Sequence, residues 1–131
     1  MQEITGINHI GLRVNSLERS RVFYEKLGFI FIVGPIGPEP VAIMEHPSGV
    51  NINIILNANS GISNNILMDI TERHPGYTHV ALTVSNLETV KGFLEEQNII
   101  ITEGPITLPN GAVMLFIRDP DNNVIEFHQN P

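Results

Sequence analysis

The chain has no cysteine, which excludes disulfides, thiol catalysis and thiolate metal sites together. It is also short of basic residues: 7 Lys and Arg face 14 Asp and Glu, a formal charge of −7. Such a surface repels a polyanion, so no nucleic-acid partner is expected. No apolar run approaches the roughly 20 residues of a membrane span. Met1-Gln2-Glu3 has neither the basic nor the apolar region of a signal peptide. The expectation is a cytoplasmic protein with no membrane partner. With 42% hydrophobic residues, a chain of 131 residues is too apolar for a disordered acidic segment and long enough for one domain with a sizeable core.

What the chain does have is a repeat. Gly6-Ile7-Asn8-His9-Ile10-Gly11-Leu12-Arg13-Val14 returns 70 positions later as Gly76-Tyr77-Thr78-His79-Val80-Ala81-Leu82-Thr83-Val84. The match runs on without a gap through Leu17/Leu87, Glu18/Glu88, Phe23/Phe93 and Glu25/Glu95. A repeat of this size is one supersecondary unit used twice.

Each copy opens with alternation. Ile10, Leu12 and Val14 point one way and His9, Gly11 and Arg13 the other, which is a strand with one covered face. Asn15 and Glu18, like Ser85 and Glu88, have the spacing of a helix-opening capping box. The helical faces read Leu17, Ser20, Phe23, Tyr24, Leu27 and Leu87, Val90, Phe93, Leu94, Gln97, with Gly28 placed to end the first helix. The helix then covers the Ile10/Leu12/Val14 side and leaves the histidine side free.

Three further strands are expected in each copy. In the first they are Phe29–Val33, ended by the Gly34-Pro35 run, then Val41–Glu45, and Val50–Asn57 after a Pro47-Ser48-Gly49 turn. In the second they are Ile99–Thr102, Ala112–Ile117 and Val124–Gln129. Aligning the last strands at an offset of 73 sets Pro120 on Pro47, Glu126 on Asn53 and Asn130 on Asn57. The expected architecture is α+β: two tandem βαβββ modules, 1–57 and 76–131, forming a cleft-shaped mixed sheet within a single domain. Residues 58–75, rich in Asn, Ser and Gly, read as a linker or lid with a helical turn near Ile66–Ile70.

On the uncovered face each module offers a strand-one histidine and a polar residue late in strand four. Two facing sheets would gather His9, His79, Glu126 and Asn53. Two imidazoles and a carboxylate suit one divalent transition metal such as Fe, Mn, Ni or Zn. A lone strand histidine is usually a packed or solvated residue, but two at equivalent positions on a helix-free face point to a site. Gly11 and Ala81, two residues beyond each histidine, leave room for a ligand. His128 shares a strand face with Glu126, as an outer partner or simply as a solvated C-terminal side chain. His46 and His74 precede prolines and read as structural.

These segments resemble the vicinal oxygen chelate superfamily, which holds glyoxalase I, extradiol dioxygenases, fosfomycin-resistance proteins and methylmalonyl-CoA epimerase. The resemblance lies in Asn8–Val14, Phe23-Tyr24-Glu25-Lys26-Leu27-Gly28-Phe29, His79-Val80-Ala81-Leu82 and Arg118–Glu126. It implies paired βαβββ modules around a metal, commonly in homodimers, and a small-molecule substrate. Three of the four glyoxalase I ligands carry over as His9, His79 and Glu126; the fourth position falls on Asn53, where glyoxalase I has glutamate and the epimerase an amide. Arg13 and Asn57 match its glutathione-contacting positions. Four strand residues span about 13 Å and return to the same face, so these two could hold a distal anionic group; the plain alternative for Arg13 is a surface ion pair.

The resemblance implies a metal-dependent lyase or isomerase in which Glu126 is both ligand and proton shuttle. One alternative is a non-haem Fe(II) dioxygenase using the two-histidine, one-carboxylate set, although Phe116 stands where the ring-cleaving enzymes carry tyrosine. The other is a metal-independent ligand-sequestering protein of the bleomycin-resistance kind.

Overall fold

The computed structural model describes residues 1–59 and 64–131. Their contacts form two compact units, Met1–Ile62 and Ser63–Pro131.

The first unit runs β1 (Ile10–Arg13), α1 (Leu17–Lys26), β2 (Ile30–Ile36), β3 (Val41–Glu45) and β4 (Asn51–Ile55). Its sheet has the order β1-β4-β3-β2, with β1 parallel to β4 and the other pairs antiparallel. The alternation in the sequence becomes a two-faced sheet. Ala42, Met44, Ile52 and Ile54 are buried together with Val14, Tyr24 and Phe29, while Asn53 and Ile55 stand on the other face, only half-buried. Tyr24 meets Phe23 and Phe29 edge to face, at 5.2 and 5.7 Å between centroids.

The second unit runs β5 (His79–Thr83), α2 (Leu87–Glu96), β6 (Ile101–Thr107), β7 (Val113–Arg118) and β8 (Val124–Gln129), with the sheet order β5-β8-β7-β6. Leu115, Ile117, Ile125 and Phe127 are buried with Leu87 and Leu94 of α2. The alternate residues of the same strands, Phe116, Glu126 and His128, take the other face. The fold is thus the expected α+β pair of βαβββ modules, each with its own mixed four-stranded sheet.

Several boundaries differ from expectation. The N-caps lie one residue later: Ser16 and Asn86, not Asn15 and Ser85, accept from Arg19 N and Thr89 N. The acidic residues Glu18 and Glu88 therefore sit in the first turn rather than closing a capping box. Gln97 caps α2 rather than lining it. Both second strands continue through their Gly-Pro dipeptides, to Ile36 and Thr107. They can do so because β2 and β6 are edge strands, where a residue without an N–H costs no inner ladder bond. The register slips at each dipeptide, and both Gly34-Pro35 and Gly104-Pro105 are cis.

The expected linker is in part well anchored. Residues 66–68 make a single turn where a helical turn was expected, with Asp69 N donating to Asn65 O at 2.7 Å, and Arg118 grips Asp69 with both terminal nitrogens, at 2.9 and 3.3 Å. Asn65 Nδ2 donates to Asn122 O at 3.1 Å. Residues 60–63, also part of that expected lid, lie outside the described residues.

Candidate functional site

In the second unit, strand register brings three of the singled-out residues to one place. Pairing of Ala81 with Glu126 on parallel β5 and β8 puts His79 one pleat from Glu126 on the same face. Phe116 is opposite Glu126 on β7. The result is a buried carboxylate between two imidazoles. Glu126 Oε2 lies 3.1 Å from His79 Nε2, and Oε1 lies 2.8 Å from His128 Nδ1. The Glu126 side chain is only 8% exposed, against 37% for His79 and 26% for His128. A carboxylate so far out of water needs such partners, because burying one unpaired is costly. The His79 ring is set edge-on to Phe116 at 5.9 Å, and its Nδ1 lies 2.9 Å from Thr78 Oγ1.

The turn that delivers Glu126 is itself tightly built. Asp119, buried, accepts from Asp121 N and Asn123 N at 2.9 Å each, while Asn123 Nδ2 donates to its second oxygen. The Asp-Pro-Asp-Asn-Asn stretch thereby fixes where β8 starts.

In the first unit His9 is exposed, and its Nδ1 faces Asn8 Oδ1 at 2.8 Å. Asn53 pairs with Gly11 on β1 and Ile43 on β3, on the face opposite Ile52 and Ile54. Arg13 and Asn57 do meet: Arg13 Nε donates to Asn57 Oδ1 at 2.8 Å. They also share a third residue, Glu39, whose Oε1 accepts from Asn57 Nδ2 at 3.1 Å and lies 3.8 Å from Arg13 Nη2.

Of the two readings of His128, the structure shows the less expected one: it is bonded to Glu126 rather than solvated, as its i+2 spacing on one strand allowed. Two features escaped sequence reading. Glu39 lies in an aperiodic turn and gave no signal. Asn8 and Thr78, equivalent in the repeat, each hold a histidine Nδ1. His46 is structural as expected, with Nδ1 bonded to Ser48 and its ring on Phe29; His74 Nε2 lies 3.8 Å from Glu72 Oε2. Among the described residues, no three His, Asp or Glu side chains gather into a ready-made metal centre.

A family model for the glyoxalase/bleomycin resistance protein/dioxygenase superfamily matches residues 6–127. The chain belongs to this superfamily. Solved structures agree in fold. A glyoxalase family protein from Enterococcus faecalis is 24% identical, with a TM-score of 0.76 over 94% of this chain and 96% of that one. A virulence protein from Salmonella typhimurium is 25% identical, with a TM-score of 0.70 over 98% of each. A glyoxalase/dioxygenase from Nostoc punctiforme is 20% identical, with a TM-score of 0.75 over 98% of this chain and 93% of that one. The superfamily includes both enzymes and non-enzymes, so the residues must argue the activity. Among the described residues no helix is long and apolar enough to cross a membrane.

Proposed function

We propose that this superfamily member is a metal-dependent lyase or isomerase of the glyoxalase type, acting on a small molecule with two adjacent oxygens. His9, His79 and Glu126 are the residues that would hold one divalent metal (Ni, Zn, Fe or Mn), with Asn53 as a weak fourth position. One observation carries this reading: His79 Nε2 and Glu126 Oε2 are 3.1 Å apart. Two donors each about 2.1 Å from one metal stand about 3.0 Å apart at a right angle and about 3.4 Å apart at a tetrahedral one, which brackets that distance. The donor set fits in its second layer too. Asn8 Oδ1 can only accept, so His9 Nδ1 carries the proton and Nε2 keeps its lone pair. The hydroxyl of Thr78 can accept or donate, so His79 can present the same nitrogen.

Bound there, a divalent metal would act as a Lewis acid toward the two adjacent oxygens of the substrate. The protein's own residues do the rest. Arg13 and Asn57 hold the distal, anionic part of the substrate. Glu126 moves the proton: its carboxylate, beside the reacting carbons, takes it from one and returns it to the other. The His79-side face offers no hydroxyl at Phe116, which weighs against ring cleavage, and a sequestering protein has no use for the histidine pair. On the same reading the protein works in the cytoplasm as a homodimer.

The test is direct. Nickel- or zinc-loaded protein should convert a hemithioacetal or related 2-hydroxycarbonyl compound, and Arg13→Ala should raise KM more than it lowers kcat. Alanine at His9, His79 or Glu126 should abolish stoichiometric metal retention with the fold intact. Wild-type occupancy in all three would show the site to be wrong. Oxygen uptake with catechols by iron-loaded protein, without isomerase activity under any metal, would favour the dioxygenase.

A further inference from the structure

We infer that His128 is a positioning residue for Glu126, holding one carboxylate oxygen so that the other is presented at His79. The inference rests on the reading of Glu126 as a metal ligand and adds a residue to it. Glu126 and His128 are separated on β8 by Phe127, which is buried on the helix side, so both project from the opposite face. Across the parallel pair they face Ala81 and Thr83, small enough to leave the imidazole space against the carboxylate. An ionised carboxylate only accepts, so at 2.8 Å His128 Nδ1 is the donor and carries the proton. The last torsion of a glutamate is otherwise broad. With Oε1 held, the carboxylate cannot exchange its oxygens, and Oε2 stays at the 3.1 Å approach to His79 Nε2.

The first unit supplies the internal control. There the position equivalent to Glu126 is Asn53, and the position equivalent to His128 is Ile55, paired with Arg13 as His128 is with Thr83. The donor occurs in the half that has a carboxylate at this strand position, and is replaced by a hydrocarbon in the half that has an amide there.

The experiment titrates the full chain with Co²⁺ alone, following affinity, stoichiometry and the visible spectrum. His128→Leu should weaken binding by about 10- to 100-fold, the usual effect of losing such a partner, at unchanged stoichiometry. His128→Gln, whose amide can donate to Oε1, should recover most of that loss. Wild-type affinity in His128→Leu would overturn the proposal. So would loss of stoichiometric binding as complete as in Glu126→Ala, which would make His128 a ligand instead. Wild-type affinity in Glu126→Ala would overturn the metal reading itself and this inference with it. A measurement on the unmutated protein is independent of any variant's folding. Ring ¹⁵N shifts should place a His128 proton on Nδ1 both before and after Zn²⁺ is added, and a proton on Nε2 alone, leaving Nδ1 bare, would sink the proposal.

Discussion

The turn before β4 and the turn before β8 are the same device made from different residues. In the first unit His46 Nδ1 accepts from Ser48 N at 3.1 Å, and Gly49 takes a φ of +93°. In the second, Asp119 Oδ1 accepts from Asp121 N at 2.9 Å, and Asn122 takes a φ of +64°. The helix ends repeat too: Phe29 N bonds back to Tyr24 O as Ile99 N does to Leu94 O. Beyond the turns the likeness stops. Where the second unit places Glu126, His128 and Phe116 on its uncovered face, the first places Asn53, Ile55 and Ile43. The repeat therefore keeps what shapes the backbone and varies what the open face carries. Among the described residues, the buried carboxylates, Asp119 and Glu126, both belong to the second unit.

The largest effect should come from erasing that difference. Glu126→Asn gives the second unit the amide of the first, removing the one charged donor from between two imidazoles. Metal affinity should fall by about 100-fold or more, roughly 3 kcal/mol. The reverse change, Asn53→Glu, adds a charged donor and should tighten binding by about tenfold, roughly 1.4 kcal/mol. Calorimetric titration of both variants and of the double exchange checks this. Equal affinity in all of them would mean that the two faces are interchangeable and that neither residue touches the metal.

The shared scaffold is open to a matched test at Gly34 and Gly104. Their φ values are +134° and +93°, and a Cβ would meet Ala42 Cα at 2.5 Å in one case and Met114 O at 2.8 Å in the other. Backbone atoms cannot give way as a flexible side chain can. Gly34→Ala and Gly104→Ala should each destabilise by about 2 kcal/mol, read from denaturant midpoints at constant slope. A tolerated alanine at one position and not the other would show that the two crossings of edge strand and neighbour are not equivalent.

These crossings mark where the sequence stopped being legible. Strand alternation located β3, β4, β5, β7 and β8 to within a residue or two, because one face of each is apolar. Gly34-Pro35 reads as a strand end, and only the sheet order reveals that β2, like β6 with its Gly104-Pro105, is an edge strand that tolerates the dipeptide. The helix starts were ambiguous for another reason: Asn15-Ser16 and Ser85-Asn86 are each two good capping residues in a row. On the open faces, alternation was enough to pair His79 with Glu126. It could not show that His128 bonds the carboxylate, since that depends on rotamers. Nor could it find Glu39, which reaches Arg13 and Asn57 from a turn with no period.

A smaller difference lies under α1. Ser20 is fully buried, and its Oγ has no hydrogen-bond partner among the described residues. The second unit has Val90 at the equivalent position, half-buried and apolar. A buried hydroxyl without a partner loses its hydration and gains nothing. Ser20→Ala should therefore stabilise the protein by about 1 kcal/mol, since alanine also favours the helix interior. Thermal and urea unfolding will show it as a raised midpoint. A lowered midpoint would mean that the hydroxyl contributes more by packing than it costs by desolvation.

The least of the expected effects separates the two helix starts. Ser16 Oγ accepts from Arg19 N at 3.3 Å, long for such a bond, whereas Asn86 Oδ1 accepts from Thr89 N at 2.8 Å. In α2 the adjacent Leu87 N is also satisfied, donating to Gln129 Oε1 at 2.7 Å across the unit. The start of α2 is thus held by two side chains. N-cap replacement by alanine usually costs about 0.5–2 kcal/mol. Asn86→Ala should fall near 1 kcal/mol and Ser16→Ala near the bottom of that range. Because the Gln129 bond persists in Asn86→Ala, the loss there reports the cap alone. Urea midpoints at equal slope would reverse the assignment if Ser16→Ala proved the costlier change. Distance at the cap would then not be what sets its strength, and the contribution of Glu18 in the first turn of α1 would have to be weighed in its place.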